Sequence, residues 1–309
     1  MKRRVLSSLV WAAALVWMPF AANAFGVAPA MLDLSASRGE VVQSRFSIIN
    51  STAADQTYYL EAITFIARED SGSPQFIPYE EDHAGLPEWI RFPSKTVSVP
   101  ANSQGEMPFQ IAVPADVASG EYFAAITVSD TPSEVVATNG ASVSAKIAVL
   151  VFLTVEGETL QKAALLDFTA PDAGSLTRIP SLSFAYRIQN QGNVHVVPTA
   201  TVTARDMFGR VVASTNANPD ATRILPGTTR SISGSLGLGD DLSFMEALRA
   251  ELVTFAIGPI TYTLDVQVGD QRLTGDPIRG WNVPWELIAV FTGAVLLVLL
   301  ASRLFTRRR

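Results

Sequence analysis

The sequence predicts an all-β exported protein: two β-sandwiches in tandem, followed by one C-terminal membrane-spanning helix. Three observations predict it. Short apolar stretches alternate at period two and are broken repeatedly by Gly, Pro and Asn. The order of strands and turns in the first half recurs in the second. The chain ends on one long uncharged run followed by arginines.

The N-terminus places Lys2, Arg3 and Arg4 ahead of an apolar stretch, Val5 to Phe20, and then Ala22-Asn23-Ala24. A basic region, an apolar region and a small-x-small site make residues 1–24 a secretory signal cut before Phe25. An uncut N-terminal anchor is the alternative. Residues 25–158 read as the first sandwich. RFSIIN and TYYLEAITFIA alternate around the turn STAADQ. In GEYFAAITVS, Tyr122, Ala124, Ile126 and Val128 share a face. SVSAKIAVLVFLTVEG puts Val143, Ala145, Ile147, Val149, Val151, Leu153 and Val155 on one face. The frequent β-branched residues and the Gly and Pro interruptions disfavour helix.

Residues 159–276 read as the second sandwich, with a junction near Gly157. The strand ending at Asn50, the turn at Pro100 and GEYFAAITV correspond to the strand ending at Asn190, the turn at Pro226 and GPITYTLDVQV. DDLSFMEALRAEL adds a short helical insert. Ser243 and Glu246 form a capping box, and Met245, Leu248 and Leu252 share a face expected to lie against a sandwich.

Residues 277–284 form a juxtamembrane linker, 285–305 the transmembrane helix and 306–309 a basic tail. Sixteen uncharged residues separate Glu286 from Arg303, and ten of them are Leu, Ile, Val or Phe. Those ten favour insertion by roughly 3–6 kcal/mol. Trp281 and Trp285 stand where an interfacial belt would, and Arg307, Arg308 and Arg309 mark the cytoplasmic side. The expected location is the plasma (inner) membrane, single-pass, with both sandwiches outside.

Composition narrows the function. Between Phe25 and Asn282 lie 16 basic and 28 acidic residues, a net charge of −12. Nucleic acid and anionic polymers are therefore poor partners. Cysteine is absent, so disulfide and thiolate chemistry are excluded. The two histidines do not form a site by sequence: His195 lies in the turn IQNQGNVHVV, and His83 beside Glu80, Glu81 and Asp82 in an acidic loop. Asn190 to Asn193 supply residues that tolerate positive φ, as does Gly209 in ARDMFGRVV. No nucleophile elbow, phosphate loop or zinc-protease motif occurs. The chain is expected not to be an enzyme and to use no cofactor or metal. Asn50 begins the N-glycosylation pattern NST, which in a bacterial chain reads as a turn.

Two stretches are candidate binding surfaces. The loop REDSGSPQFIPYEEDHAGLPEWIRFP carries Phe76, Tyr79, Trp89 and Phe92, which either stack on sugar rings or plug the end of a sandwich. The stretch Lys146 to Thr154, with Leu150 and Phe152, is apolar on both faces. It is either an exposed edge for strand addition or a central strand.

FGVAPAMLDLSASRGEVVQSRFSIINST, VPANSQGEMPFQIAVPADVASGEYFAAITVS, NQGNVHVVPTATVTARDMFGRVV and ILPGTTR together resemble the bacterial cell-surface WxL-interacting proteins. The resemblance spans Phe25 to Arg309 and implies two immunoglobulin-like modules, a C-terminal span and a short basic tail. It further implies a first module associated with peptidoglycan and a second that contacts a partner surface. It carries no binding residue over. The excess of Arg over Lys, nineteen to four, and the helical insert depart from the family. The architecture also resembles periplasmic pilus chaperones of the two-sandwich type, which are soluble, unlike a tethered chain. The expected role is an envelope binding or scaffold protein for a cell-wall polymer or a secreted surface protein. The alternative is an accessory factor or chaperone for assembling secreted, pilus-like β proteins.

Overall fold

A computed structural model describes residues 25–68, 71–77, 85–132, 146–238 and 242–306. The signal sequence, Tyr79, His83 and the terminal arginines lie outside the described residues. The fold is all-β with a single long C-terminal helix. The chain divides into two compact units. The first comprises Met1–Thr64, Pro78–Ala115 and Phe123–Phe152; the second comprises Phe65–Ile77, Asp116–Tyr122 and Leu153–Arg309.

In chain order the first elements are β1 (Phe25–Ala28), β2 (Met31–Ala36), β3 (Val41–Asn50), β4 (Gln56–Ile63) and the hairpin β5 (Phe65–Ala67) and β6 (Pro74–Phe76). The short α1 (Leu86–Trp89), β7 (Ile90–Arg91), β8 (Thr96–Val99), β9 (Ser103–Ala112), β10 (Gly120–Ser129) and β11 (Lys146–Val155) follow. One sheet has the order β1-β3-β9-β7 and the other β2-β11-β10-β4-β8. The chain crosses from the first sheet to the second at Pro29, so β1 and β2 edge different sheets. Alternation decides which side chains meet. Phe46, Ile48, Phe109 and Ile111 turn inward from the first sheet, and Tyr58, Leu60, Val149 and Val151 are buried in the second. Phe25 and Tyr58, from different sheets, bring their rings to 4.9 Å. β10 is buried along nearly its whole length on both faces.

The second unit continues with β12 (Ala163–Thr169), β13 (Leu176–Thr177), β14 (Leu182–Asn190), β15 (Thr199–Arg205), β16 (Val211–Asn216) and β17 (Thr229–Leu236). Then come α2 (Phe244–Val253), β18 (Gly258–Val268), β19 (Gln271–Thr274), β20 (Ile278–Asn282) and α3 (Trp285–Thr306). A three-stranded sheet, β12-β14-β17, faces a larger one ordered β13-β20-β18-β15-β16, with β19 also on β18. Phe184, Tyr186 and Ile188 from the small sheet share one core with Val202, Tyr262 and Leu264 from the large one.

The internal repeat has a physical basis in two buried asparagines. Asn50, 1% exposed, ends β3; its Nδ2 donates to the carbonyls of Ala54 (2.9 Å), Val99 (3.0 Å) and Pro100 (3.0 Å). Its Oδ1 accepts from the Thr52 amide at 3.0 Å and the Thr52 hydroxyl at 2.8 Å. Asn190, fully buried, ends β14 and repeats the device, donating to Val194 O at 2.8 Å and Ile224 O at 2.9 Å and accepting from Gly192 N at 2.8 Å. A buried Asn50 amide is also closed to glycosylation in the folded chain.

The turn after Asn190 uses its glycine for proximity. None of Asn190 to Asn193 has positive φ, contrary to the expectation; a Cβ on Gly192 would stand 2.0 Å from the Leu160 carbonyl oxygen. Gly209, at φ 80°, is the conformational glycine that the sequence suggested.

Asn190→Ala removes both donors to buried carbonyls and the acceptor for Gly192, so we expect a loss of about 2–4 kcal/mol in chemical denaturation. A loss under about 0.5 kcal/mol would mean that the corner is not tied through this side chain.

Candidate binding surfaces

The candidate residues fall into separate places. Trp89 is 9% exposed in α1, and Phe92 is half-buried with its ring 6.4 Å from that of Phe109, so both plug the core of the first unit. They form no open platform for a sugar ring. Phe76, 42% exposed, sits at the end of the β5–β6 hairpin opposite Phe65. Leu150 and Phe152 lie on β11, which is not an edge: β2 flanks it on one side and β10 on the other. The Leu150 amide donates to the Ala30 carbonyl at 2.9 Å, and Phe152 is 4% exposed. The apolar character of both β11 faces is that of an interior strand, covered by an N-terminal segment whose pairing sequence periodicity does not reveal.

His195 has a partner that its own neighbourhood in the sequence does not show. The Glu121 carboxylate accepts the His195 amide at 2.8 Å and meets His195 Nδ1 at 2.5 Å, across 74 positions of sequence. The Glu121 side chain is 1% exposed. Among the described residues, no group of three or more His, Cys, Asp or Glu stands close enough to hold a metal ion.

Strand edges are the places where a sandwich can accept an extended partner, and most edges here are blunted. The open side of β9 beyond β7 carries Pro108, which has no amide hydrogen to offer. β8 is four residues long between Lys95 and Pro100, and β2 carries Asp33. β12 has a register shift between Leu165 and Asp167, with Asp167 paired to Arg187 at 3.6 Å. β16 has a shift opposite Ala204 and Arg205. β17 differs. It is the longest edge among the described residues, eight residues paired in unbroken register with β14 alone, with no proline or acid and only Arg230 charged.

Ile232 and Leu236 anchor β17 in the core, while Ser233, Gly234 and Ser235 are exposed. Gly234 allows the Phe184 ring to lie directly over it; a Cβ there would come within 2.9 Å of the ring. At the Leu236 end a cleft of about 610 Å³ opens, with Leu176, Leu182, Leu236, Leu238 and Trp285 as its apolar lining and Asp172, Thr177, Arg178 and serines as its polar one.

The joint between α2 and α3 corrects an expectation. The α2 face carrying Met245 and Leu252 does not lie against a sandwich: these residues are 69% and 62% exposed. Ala247 and Glu251 are the buried ones. The capping box is present, with the Ser243 amide donating to Glu246 Oε2 at 3.0 Å. The helix turns inward because Glu251, 2% exposed, serves the next helix: its carboxylate accepts the amides of Glu286 (3.3 Å) and Leu287 (2.8 Å) in the first turn of α3. Arg178 donates to Glu286 at 3.0 Å. α3 beyond this joint is the one helix among the described residues long and apolar enough to cross a membrane. Its Trp285–Leu304 stretch has a mean hydropathy of 2.3, and none of its most apolar window is buried.

No protein-family model matches the chain, and no curated protein does. Among solved structures it is similar to the class 5 fimbrial chaperone CfaA: 13% identity, 84% of this chain and all of that one, TM-score 0.42. A chain of the chaperone–tip adhesin complex of CFA/I fimbriae biogenesis shows 12% identity over 84% of this chain and 99% of that one, TM-score 0.41. The Pseudomonas aeruginosa CupB2 chaperone shows 11% identity over 82% and 98%, TM-score 0.36.

Burial, then the Glu286 carboxyl, push Glu251 above its ordinary value of 4.5, against the two backbone amides that favour its charge. A raised folded value favours the protonated form. The contribution of Glu251 is thus fully present below pH 4.5 and is lost as pH rises through the raised value. We expect the melting temperature of the wild type relative to Glu251→Gln to fall as pH increases over that window; a difference independent of pH would show that Glu251 does not titrate on folding.

Proposed function

We propose that this protein is a non-catalytic accessory factor of the cell envelope, tethered by α3, that holds extended segments of exported β-rich proteins along the free edge of β17. β17 carries this reading, not the likeness to the fimbrial chaperones. An eight-residue edge without proline, acid or bulge pairs with β14 alone; its Ser233–Ser235 stretch is exposed, while Thr229–Ser231 are half-buried, with Arg230 against Gly72 of the β5–β6 hairpin. A partner strand laid there completes the ladder, and its main-chain hydrogen bonds are largely indifferent to side chain. Selectivity comes from the cleft at the Leu236 end, where an apolar partner side chain fits among Leu176, Leu238 and Trp285.

The other edges support the assignment by contrast, since proline, charge, short length and bulges are the means by which sheets refuse strands. An acidic exterior with no cysteine suits capture through backbone and apolar groups better than capture of a polyanion. The sequence alternative of an assembly factor is thus favoured over cell-wall binding, because the aromatics Trp89 and Phe92 sit in the core.

The test uses the full chain in detergent and a panel of ten-residue peptides alternating apolar and polar residues, with N-methylated copies as controls. The unmodified peptides bind, and N-methylation abolishes binding. The double variant Ser233→Lys, Ser235→Lys weakens binding about tenfold or more while the melting temperature moves by no more than about 2 °C. Binding that survives both N-methylation and the lysines would contradict strand addition at β17.

A further inference from the structure

We infer that the second unit does not hang free of the bilayer on α3 but is seated on it, through an exposed apolar collar around the root of that helix. The inference rests on the reading of α3 as a membrane span. The first component is α2, whose Met245, Leu252 and Val253 are 69%, 62% and 80% exposed although the helix is fixed to α3 by the Glu251 carboxylate. An apolar helical face left to water beside its own packing partner is unusual in a soluble surface.

The second component follows α2 directly: Phe255 is 49% exposed. Arg210 Nη2 donates to its carbonyl at 3.1 Å, which brings the β15–β16 turn alongside. At the tip of that turn Phe208 is 74% exposed, held there by the Asp206 carboxylate, which accepts the Phe208 and Arg210 amides at 2.9 Å each. The third component is Trp281, 56% exposed, paired with Pro259 in the strand that leads into α3. Asn282 Nδ2 donates to Ala256 O at 2.7 Å, tying this strand to the segment after α2.

Three elements far apart in sequence therefore bring large apolar side chains to the one end of the unit from which the apolar helix leaves. The occupant that this placement selects is the bilayer interface. The collar is continuous with a helix of membrane-spanning length, and exposed tryptophans stand at their junction, where indole rings favour the headgroup level. The attraction is apolar, so the net charge of the exported part does not oppose seating on a neutral lipid surface.

The absence of cysteine makes the experiment direct. Single variants Leu252→Cys, Phe208→Cys, Leu296→Cys and Asp270→Cys of the full chain each carry a nitrobenzoxadiazole probe in phosphatidylcholine vesicles, with or without headgroup spin-labelled lipid. Asp270 follows the far end of β18, about 33 Å from the collar along an eleven-residue strand. In vesicles whose spin label is instead on the acyl chain, the Leu296 probe reports the span. The expected result is a blue-shifted emission at 252 and 208, quenched about twofold or more by headgroup spin label, with 296 quenched by the acyl label and 270 unaffected. Probes at 252 and 208 that behave like the one at 270, with 296 quenched, would overturn the collar and leave the span standing. An unquenched probe at 296 would overturn both. A blue shift at 252 and 208 without lipid quenching would put a protein surface there and overturn the collar.

Discussion

The buried asparagine at the end of β3, and its counterpart at the end of β14, is the constraint on which the rest of the structure depends. A cysteine-free chain has no covalent staple between its sheets. It needs another way to fix where a strand stops and how the chain turns the corner. A carboxamide does this because it offers donors and an acceptor in one plane, so a single side chain satisfies an amide and a carbonyl of the loop that follows it and a carbonyl of a distant one. With Asn190 in place, its main-chain carbonyl takes the Gly227 amide at 3.0 Å and its amide donates to Thr228 O at 3.0 Å. The start of β17 is fixed by that pair, and with it the register of the edge that we assign to binding.

The function we propose follows from which edges are left open. The first unit covers β11 with its own N-terminal strand and blunts its remaining edges with proline, charge or brevity. The second unit leaves β17 unbroken in register beside the cleft at its Leu236 end. The same unit buries Glu251 to anchor the long helix, and that choice turns the apolar face of α2 outward. The β17 edge, the cleft and the root of α3 are built from neighbouring parts of one unit, so a segment held as proposed would lie close to that helix.

Much of the fold was legible from the sequence. Period-two alternation in GEYFAAITVS and the strand ends at Asn50 and Asn190 are local features, and they appear as a strand and as corners. The apolar run after Trp285 was legible because hydropathy needs no partner to be read. The site was much less so. Glu121 lies 74 positions from His195, and nothing local marks the pair. The coverage of β11 by β2 depends on where the chain crosses between sheets, which the alternation of β11 cannot report. The buried face of α2 is not legible, because helical periodicity shows which residues line up but not which row is buried. Ala247 and Glu251 won that place through two backbone hydrogen bonds to α3. β17 itself carries no sequence mark: TRSISGSL has little apolar signal, and its place at the sheet edge is a property of the strand order.

Strand addition at β17 means that an extended partner completes the β14–β17 ladder. Amide hydrogen exchange along Thr229–Leu236 tests it most directly, measured on the full chain in nanodiscs with and without a bound alternating peptide. With strand addition, alternate β17 amides that exchange rapidly in the free protein become protected on binding, while β11 amides are protected in both states. Protection that arises elsewhere, with β17 exchanging at its free rate in the bound state, would contradict it.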